Sequence, residues 1–219
     1  MWRALIFDLD GTLVDSAPDI VAAGNAVLLA EGLPPVPFAQ ARGFIGNGAP
    51  VFVSRMERAA SGDSRPDRTA RMIRRFVTRY EHGASLTRPY PGVAAALSAF
   101  AATGLPLALC TNKPEAPARA LLASLGWADL FAVVVGGDTL PVVKPDPAPL
   151  HAALTGLGLA PHQALFLGDS DVDAETATRA GVAFALFTGG YRTAAAADLP
   201  HRLAFDDWSA LPGLLAASL

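Results

Sequence analysis

Asp8 and Asp10 stand two residues apart directly after a short apolar run, Ala4-Leu5-Ile6-Phe7, and Gly11-Thr12 follows them. Other polar groups repeat that placement. Thr111 and Asn112 follow the apolar run 105–110. Asp169 and Ser170 follow the run 164–167. Lys144 lies several residues past the run 131–135. If a fold gathers these groups, their chemistry is narrow. Two or three carboxylates within about 4 Å repel by roughly 4 kcal/mol per pair at an effective dielectric near 20. They stay ionised together only with a cation between them, and magnesium suits an all-oxygen site with few protein ligands. With charge masked in that way, one carboxylate can attack phosphorus. A carboxylate two positions on can protonate the leaving oxygen and then activate water. Lys144 would act on the phosphoryl oxygens as a point charge, beside the Thr111 hydroxyl. Gly11 and Thr12 allow a tight turn whose backbone N–H groups would face the phosphate.

The elements that must position these groups can be read from the apolar runs. Together with 182–187 there are five, and each is continuous where a half-exposed strand would alternate. Strands buried on both faces read this way, which predicts a parallel sheet. Helix-like segments at 91–104, 115–125, 148–155 and 171–180 separate the last four runs or follow them in turn. Strands alternating with helices predict a doubly wound α/β fold, in which the carboxyl ends of the strands share one edge and ligands bind there. Residues 16–83 break the rhythm, with helical candidates at 19–30, 49–60 and 66–81. The last carries Arg68, Arg71, Arg74, Arg75 and Arg79, read as a solvated face. The expected division is core 1–15, a helical insertion 16–83, and the rest of the core 84–219, with hinges near Ser16 and residues 83–86.

Several classes are set aside. Hydrophobic residues make up 52% and charged residues 17% of the 219-residue chain, which argues for a packed core and against disorder. A net charge of -3 offers no basic face, so nucleic acid is not the expected partner. Residues 89–112 carry no charge, yet Pro91, Gly104 and Pro106 divide them into a helix and a strand, so no membrane span is expected. Asp8 and Asp10 interrupt the first apolar run too early for a signal peptide. One cysteine, Cys110, excludes an intrachain disulfide and is expected in the core. The expected compartment is the cytoplasm. His82, His151, His162 and His201 fit no metal-ligand spacing. Lys113 and Lys144 are the only lysines, and Lys113 is expected on the surface. Asp171 reads as a charge favoured at a helix N-terminus.

These residues carry a resemblance. Asp8-Leu9-Asp10-Gly11-Thr12 resembles the first signature of the haloacid dehalogenase superfamily. Thr111-Asn112 resembles the second, Lys144-Pro145 the third, and Gly168-Asp169-Ser170-Asp171-Val172-Asp173 the fourth. The resemblance implies a Rossmann-like core with a helical cap inserted after the first strand. It implies that Asp8 is a nucleophile and Asp10 a general acid/base. It implies magnesium held by Asp8, the Asp10 backbone carbonyl and Asp169, with Ser170 and Asp173 supporting them. Asp10 argues against dehalogenation. The absence of lysine from the insertion argues against the phosphonate-cleaving and sugar phosphomutase branches, leaving a phosphatase. The segment Gly43-Phe44-Ile45-Gly46-Asn47-Gly48-Ala49-Pro50 is similar to the corresponding cap segment of phosphoglycolate phosphatases. Glycines ahead of a helix expose N–H groups suited to an anion. Gly46, Asn47 and Gly48, with Arg42 nearby, would take a small carboxylate. The expected substrate is 2-phosphoglycolate. The alternatives are another small phosphate ester, such as a sugar phosphate or nucleotide, and a catalytically silent binding module. The expected partner is a small phosphorylated metabolite, and the chain is expected to be a monomer or homodimer.

Overall fold

The computed structural model describes residues 2–81 and 85–216. His82 and part of the expected second hinge, residues 83–84, lie outside them. The chain divides into two compact units, Met1–Asp15 with Pro89–Leu219, and Ser16–Arg88.

The first unit is built on a six-stranded sheet. Its strands are β1 (Ala4–Phe7), β4 (Leu107–Cys110), β5 (Phe131–Val135), β6 (Ala164–Gly168), β7 (Ala183–Phe187) and β8 (Leu203–Phe205). The order is β5-β4-β1-β6-β7-β8, and every pairing is parallel. Two-residue strands, β2 (Val14–Asp15) and β3 (Arg88–Pro89), mark where the chain passes between the units. The continuous apolar runs are explained by the two faces of the sheet. Leu5, Phe7, Leu107, Leu109, Leu165, Leu167, Ala185 and Phe187 point to one side. There they meet α5 (Val93–Ala102), α6 (Glu115–Ser124) and α9 (Leu211–Ala216). Ile6, Ala108, Cys110, Ala164, Phe166, Phe184 and Leu186 point to the other, against α7 (Ala148–Leu157) and α8 (Asp171–Ala180). Side chains alternate along a strand, so a strand covered on both sides is apolar at every position. On the first side Phe7 contacts Phe131 edge-on at 6.2 Å between ring centroids, and Trp208 meets Phe205 edge-on at 5.1 Å.

The last strand and the last helix of this unit were not expected. β8 is a three-residue strand at the sheet edge, and α9 has six residues. Both are too short for a periodic pattern to declare itself.

The second unit contains α1 (Ala17–Ala30), α2 (Phe38–Arg42), α3 (Ala49–Ser61) and α4 (Pro66–Glu81). The five-residue α2 was not expected. Val21, Val27 and Leu28 of α1 pack with Phe52 and Met56 of α3 and with Met72 and Phe76 of α4. Gly24 lets α1 and α3 approach, since a Cβ there would stand 2.9 Å from the Phe52 ring. The arginines of α4 do not all face water. Arg68 pairs with the fully buried carboxylate of Glu57, while Arg71 and Arg75 both reach Glu31 at 3.0 and 2.8 Å. Burial alone would raise the Glu57 pKa, but hydrogen bonds from Thr69 and Arg68 outweigh it and hold the carboxyl below its usual range. Asp19, near the start of α1, accepts from the backbone N–H groups of Leu86 and Thr87 and from the Thr87 hydroxyl at 2.7 Å. One buried carboxylate thus ties the beginning of this unit to its end. No described helix of the chain is long and apolar enough to cross a membrane.

Candidate active site

In the central strands Phe7 is level with Leu109 of β4 on one side and Leu167 of β6 on the other. The residues just beyond, Asp8, Thr111 and Asp169, therefore emerge at one edge of the sheet. Asp8, Asp169 and Asp173 are all buried, and each offers a carboxylate oxygen within 4.8 Å of the others. Lys144, on the loop after β5, is 2% exposed and reaches into the same place. Its ammonium lies 3.0 Å from Asp8 Oδ1 and 2.6 Å from Asp173 Oδ1, and 5.2 Å from the centre of the Phe166 ring. The Asn112 side chain fixes the lysine backbone from both sides. Its amide nitrogen donates to Lys144 O at 2.9 Å, and its oxygen accepts from Lys144 N at 2.9 Å.

Asp173 and Asp169 are placed by α8. Ser170 caps that helix and forms a reciprocal pair with Asp173, whose Oδ2 accepts the Ser170 hydroxyl at 2.6 Å and the N–H groups of Asp169 and Ser170 at 3.2 Å each. With Oδ1 on Lys144, both Asp173 oxygens are engaged. Asp169 is packed under two glycines. A Cβ at Gly11 would stand 2.5 Å, and one at Gly190 2.2 Å, from Asp169 Oδ2. Its carboxylate accepts the Thr12 hydroxyl at 2.7 Å and the Tyr191 N–H at 2.6 Å, each on a different oxygen. Asp171 turns away and accepts the Thr193 hydroxyl at 2.7 Å, as suits a charge at the helix start.

Charge decides what this cluster can hold. Three buried carboxyl groups face one ammonium, which leaves an excess of two negative charges when all are ionised. Burial pushes the Asp8 carboxyl up to about 7, against the pull of Lys144 and with a further push from Asp173. Burial, with Asp173 and Asp8 nearby, raises Asp169 well above the ordinary range. Burial also acts to lower Lys144, but Asp173 and Asp8 more than offset it, so the lysine stays charged. A divalent cation on oxygen ligands would supply the missing positive charge. Asp8 and Asp169 fit it best, because the Asp173 oxygens are already saturated by donors.

Two expectations are corrected here. The backbone N–H groups of Gly11 and Thr12 do not face a phosphate. They close the turn itself, donating to Val14 O at 2.8 Å and to Leu9 O at 3.3 Å. Gly11, at φ +91°, is required by that turn and by its contact with Asp169. The Asn112 side chain is committed to the Lys144 backbone. Lys113 is not a surface residue. It is 7% exposed, and its ammonium contacts both Asp10 oxygens at 3.0 and 3.2 Å. Tyr191 was also missed. The sole signal for it was position, since β7, which the loop follows, lies beside β6, the strand that Asp169 follows. Cys110 is buried and its thiol pushed up to about 12, chiefly by burial, which suits a core residue and not a nucleophile.

Arg42 ends α2, and Gly46, Asn47 and Gly48 lie between it and α3, all in the second unit. Gly46 and Gly48 adopt φ of +120° and +81°, and no side chain caps the start of α3.

The sequence matches the family model of haloacid dehalogenase-like hydrolases over residues 2–181. A phosphoglycolate phosphatase of Cereibacter sphaeroides is 51% identical over 214 residues, covering 96% of each chain. One from Rhodobacter capsulatus is 44% identical, covering 98% of this chain and 97% of that one. The crystal structure of a predicted phosphoglycolate phosphatase from Haemophilus somnus superposes with a TM-score of 0.91 at 35% identity, covering 97% of both chains. With a match that takes in Asp8, Asp10, Thr111, Lys144 and Asp169, the chain belongs to the haloacid dehalogenase-like hydrolases.

Proposed function

We propose that this chain hydrolyses 2-phosphoglycolate to glycolate and phosphate, with Asp8 as nucleophile and Asp10 as general acid/base. The observation that carries the reading is the meeting of Asp8, Asp169 and Lys144 in one buried cluster from three separate loops. Asp8, Asp169 and the Asp10 backbone carbonyl would hold magnesium, which when bound screens the charge of the carboxylates from that of the phosphate. An Asp8 oxygen bonds to phosphorus as the bond to the glycolate oxygen breaks, and Asp10 gives that oxygen a proton. Asp10 then takes a proton from water as the water oxygen attacks phosphorus and the Asp8–phosphorus bond breaks. Lys144 and the Thr111 hydroxyl hold the phosphoryl oxygens. Thr111 accepts from the Lys113 N–H at 3.3 Å and keeps its own proton to donate. Asn112, Ser170 and Asp173 position Lys144 and Asp169. The unit Ser16–Arg88 acts as the cap, with the hinges near Ser16 and residues 83–86, and the Gly46-Asn47-Gly48 segment and Arg42 receive the substrate carboxylate. The setting is the cytoplasm.

The substrate is tested by kcat/KM across a panel of phosphorylated metabolites with magnesium. The expected result is the highest value for 2-phosphoglycolate. A sugar phosphate or nucleotide favoured by tenfold or more would contradict it.

The metal reading carries a pH signature. The Asp8 carboxyl moves from an ordinary 3.8 to about 7 in the folded, metal-free protein. A raised carboxyl favours the folded state while protonated. Its contribution is full below pH 3.8 and is lost as pH rises through 7, on the order of 4 kcal/mol. A divalent ion reverses that loss. Magnesium should therefore raise the thermal midpoint of the metal-free protein more at pH 8 than at pH 5. Equal shifts at both pH values would contradict metal binding at Asp8.

A further inference from the structure

Lys113 stands outside the four signatures, yet the fold builds it into place with some care. Its backbone is pinned on two sides. Its N–H donates to the Thr111 hydroxyl at 3.3 Å, and its carbonyl accepts from the Gly137 N–H at 2.8 Å. Gly136 and Gly137, at the end of β5, allow that approach. A Cβ on Gly137 would lie 2.3 Å from Asn112 O, and one on Gly136 2.5 Å from Glu115 N. Only chain without side chains fits against residues 112–115 here. From this anchored backbone the side chain, 4% exposed, runs to the Asp10 carboxylate and contacts both oxygens at 3.0 and 3.2 Å.

A lysine confined in this way does not serve solubility. Burying an ion pair brings little net stability over an apolar replacement of similar size. What the pair does supply is geometry, because contact with both oxygens fixes the plane and rotamer of the carboxylate. We propose that Lys113 is a positioning residue for Asp10, aiming its carboxylate at the oxygen that leaves and at the water that replaces it. The proposal rests on the phosphatase reading. Lys144 and Lys113, the two lysines of the chain, then divide the work. Lys144 serves the nucleophile and the phosphoryl group, and Lys113 serves the proton transfers.

Lys113→Met keeps the apolar stem and removes the ammonium. The test substrate is p-nitrophenyl phosphate with magnesium, because its leaving group departs without a proton. Nucleophilic attack then does not need Asp10, but attack by water still does. The expected result is a rapid release of one nitrophenolate per active site, followed by a steady state about 10²-fold slower than the unmodified enzyme. With 2-phosphoglycolate, whose leaving oxygen needs the proton, the first turnover should slow as well. A first turnover on p-nitrophenyl phosphate slowed as much as the steady state would overturn the proposal and place Lys113 on the phosphate. A raised KM confined to 2-phosphoglycolate, with kcat unchanged, would overturn it in favour of a contact to the substrate carboxylate. An unchanged steady state would also overturn it. Should Lys113→Met not fold, Lys113→Gln carries the same test with the same outcomes. An unmodified enzyme that turns over neither substrate would contradict the phosphatase reading itself, a failure distinct from any of these.

Discussion

Asp8→Asn is expected to lower turnover of 2-phosphoglycolate by at least about 10⁴-fold with the fold intact. Loss of a nucleophile costs this much when the rest of the site can still bind but has no covalent route. The variant has a second expected property that a merely damaged protein would not share. Asp8 is a buried carboxyl pushed up to about 7. Removing its charge should raise the thermal midpoint of the metal-free protein at pH 8, where the native carboxylate is least comfortable. It should also weaken the stabilisation by magnesium. Steady-state kinetics and thermal unfolding check both. Turnover within tenfold of the unmodified enzyme would remove Asp8 from the mechanism. A lower midpoint would mean that the carboxylate supports the fold and does not strain it.

Lys144→Met should damage both stability and rate. Its ammonium lies between Asp8 and Asp173 at 3.0 and 2.6 Å and over the Phe166 ring. Without it, two buried carboxylates lose their counter-charge. Breaking a buried pair from one side costs about 3–5 kcal/mol, because a charge is stranded. The catalytic loss should be about 10²–10³-fold, typical of removing one fixed group that stabilises developing charge. Magnesium should recover part of the stability but not the rate, since an ion on Asp8 and Asp169 could not stand where the amine is proposed to contact phosphate. Chemical unfolding with and without magnesium, together with kcat, separates the two effects. A variant as stable as the unmodified protein, or one with kcat within tenfold of it, would contradict the assignment.

Much of this site was legible because parallel sheets are strict. Once five continuous apolar runs are read as strands covered on both faces, the residues after each run must share an edge. Asp8, Thr111 and Asp169 followed from that rule alone. Lys144 needed the motif as well, because it sits some way past its strand and is brought back by the Asn112 clasp. What the sequence hid were contacts that depend on the path of a loop. Lys113 lies two residues from Thr111 and nothing in its neighbours marks it as buried. Its burial follows from the close approach of residues 112–115 to Gly136 and Gly137, two glycines that read in sequence as an ordinary turn. The N–H groups of Gly11 and Thr12 were misassigned for a related reason. A glycine turn after a strand can present its amides outward or spend them on itself, and here Val14 and Leu9 take them. In the second unit, Arg68 looked like its neighbours on α4 until Glu57 was found buried beneath it.

The central claim is that a phosphoryl group passes through Asp8. The most direct measurement is a rapid acid quench of the enzyme during turnover of radiolabelled 2-phosphoglycolate with magnesium, followed by peptide mapping. The account predicts label bound to the peptide that carries Asp8, and none in Asp8→Asn. Turnover without label on any peptide, or label on another residue, would contradict it.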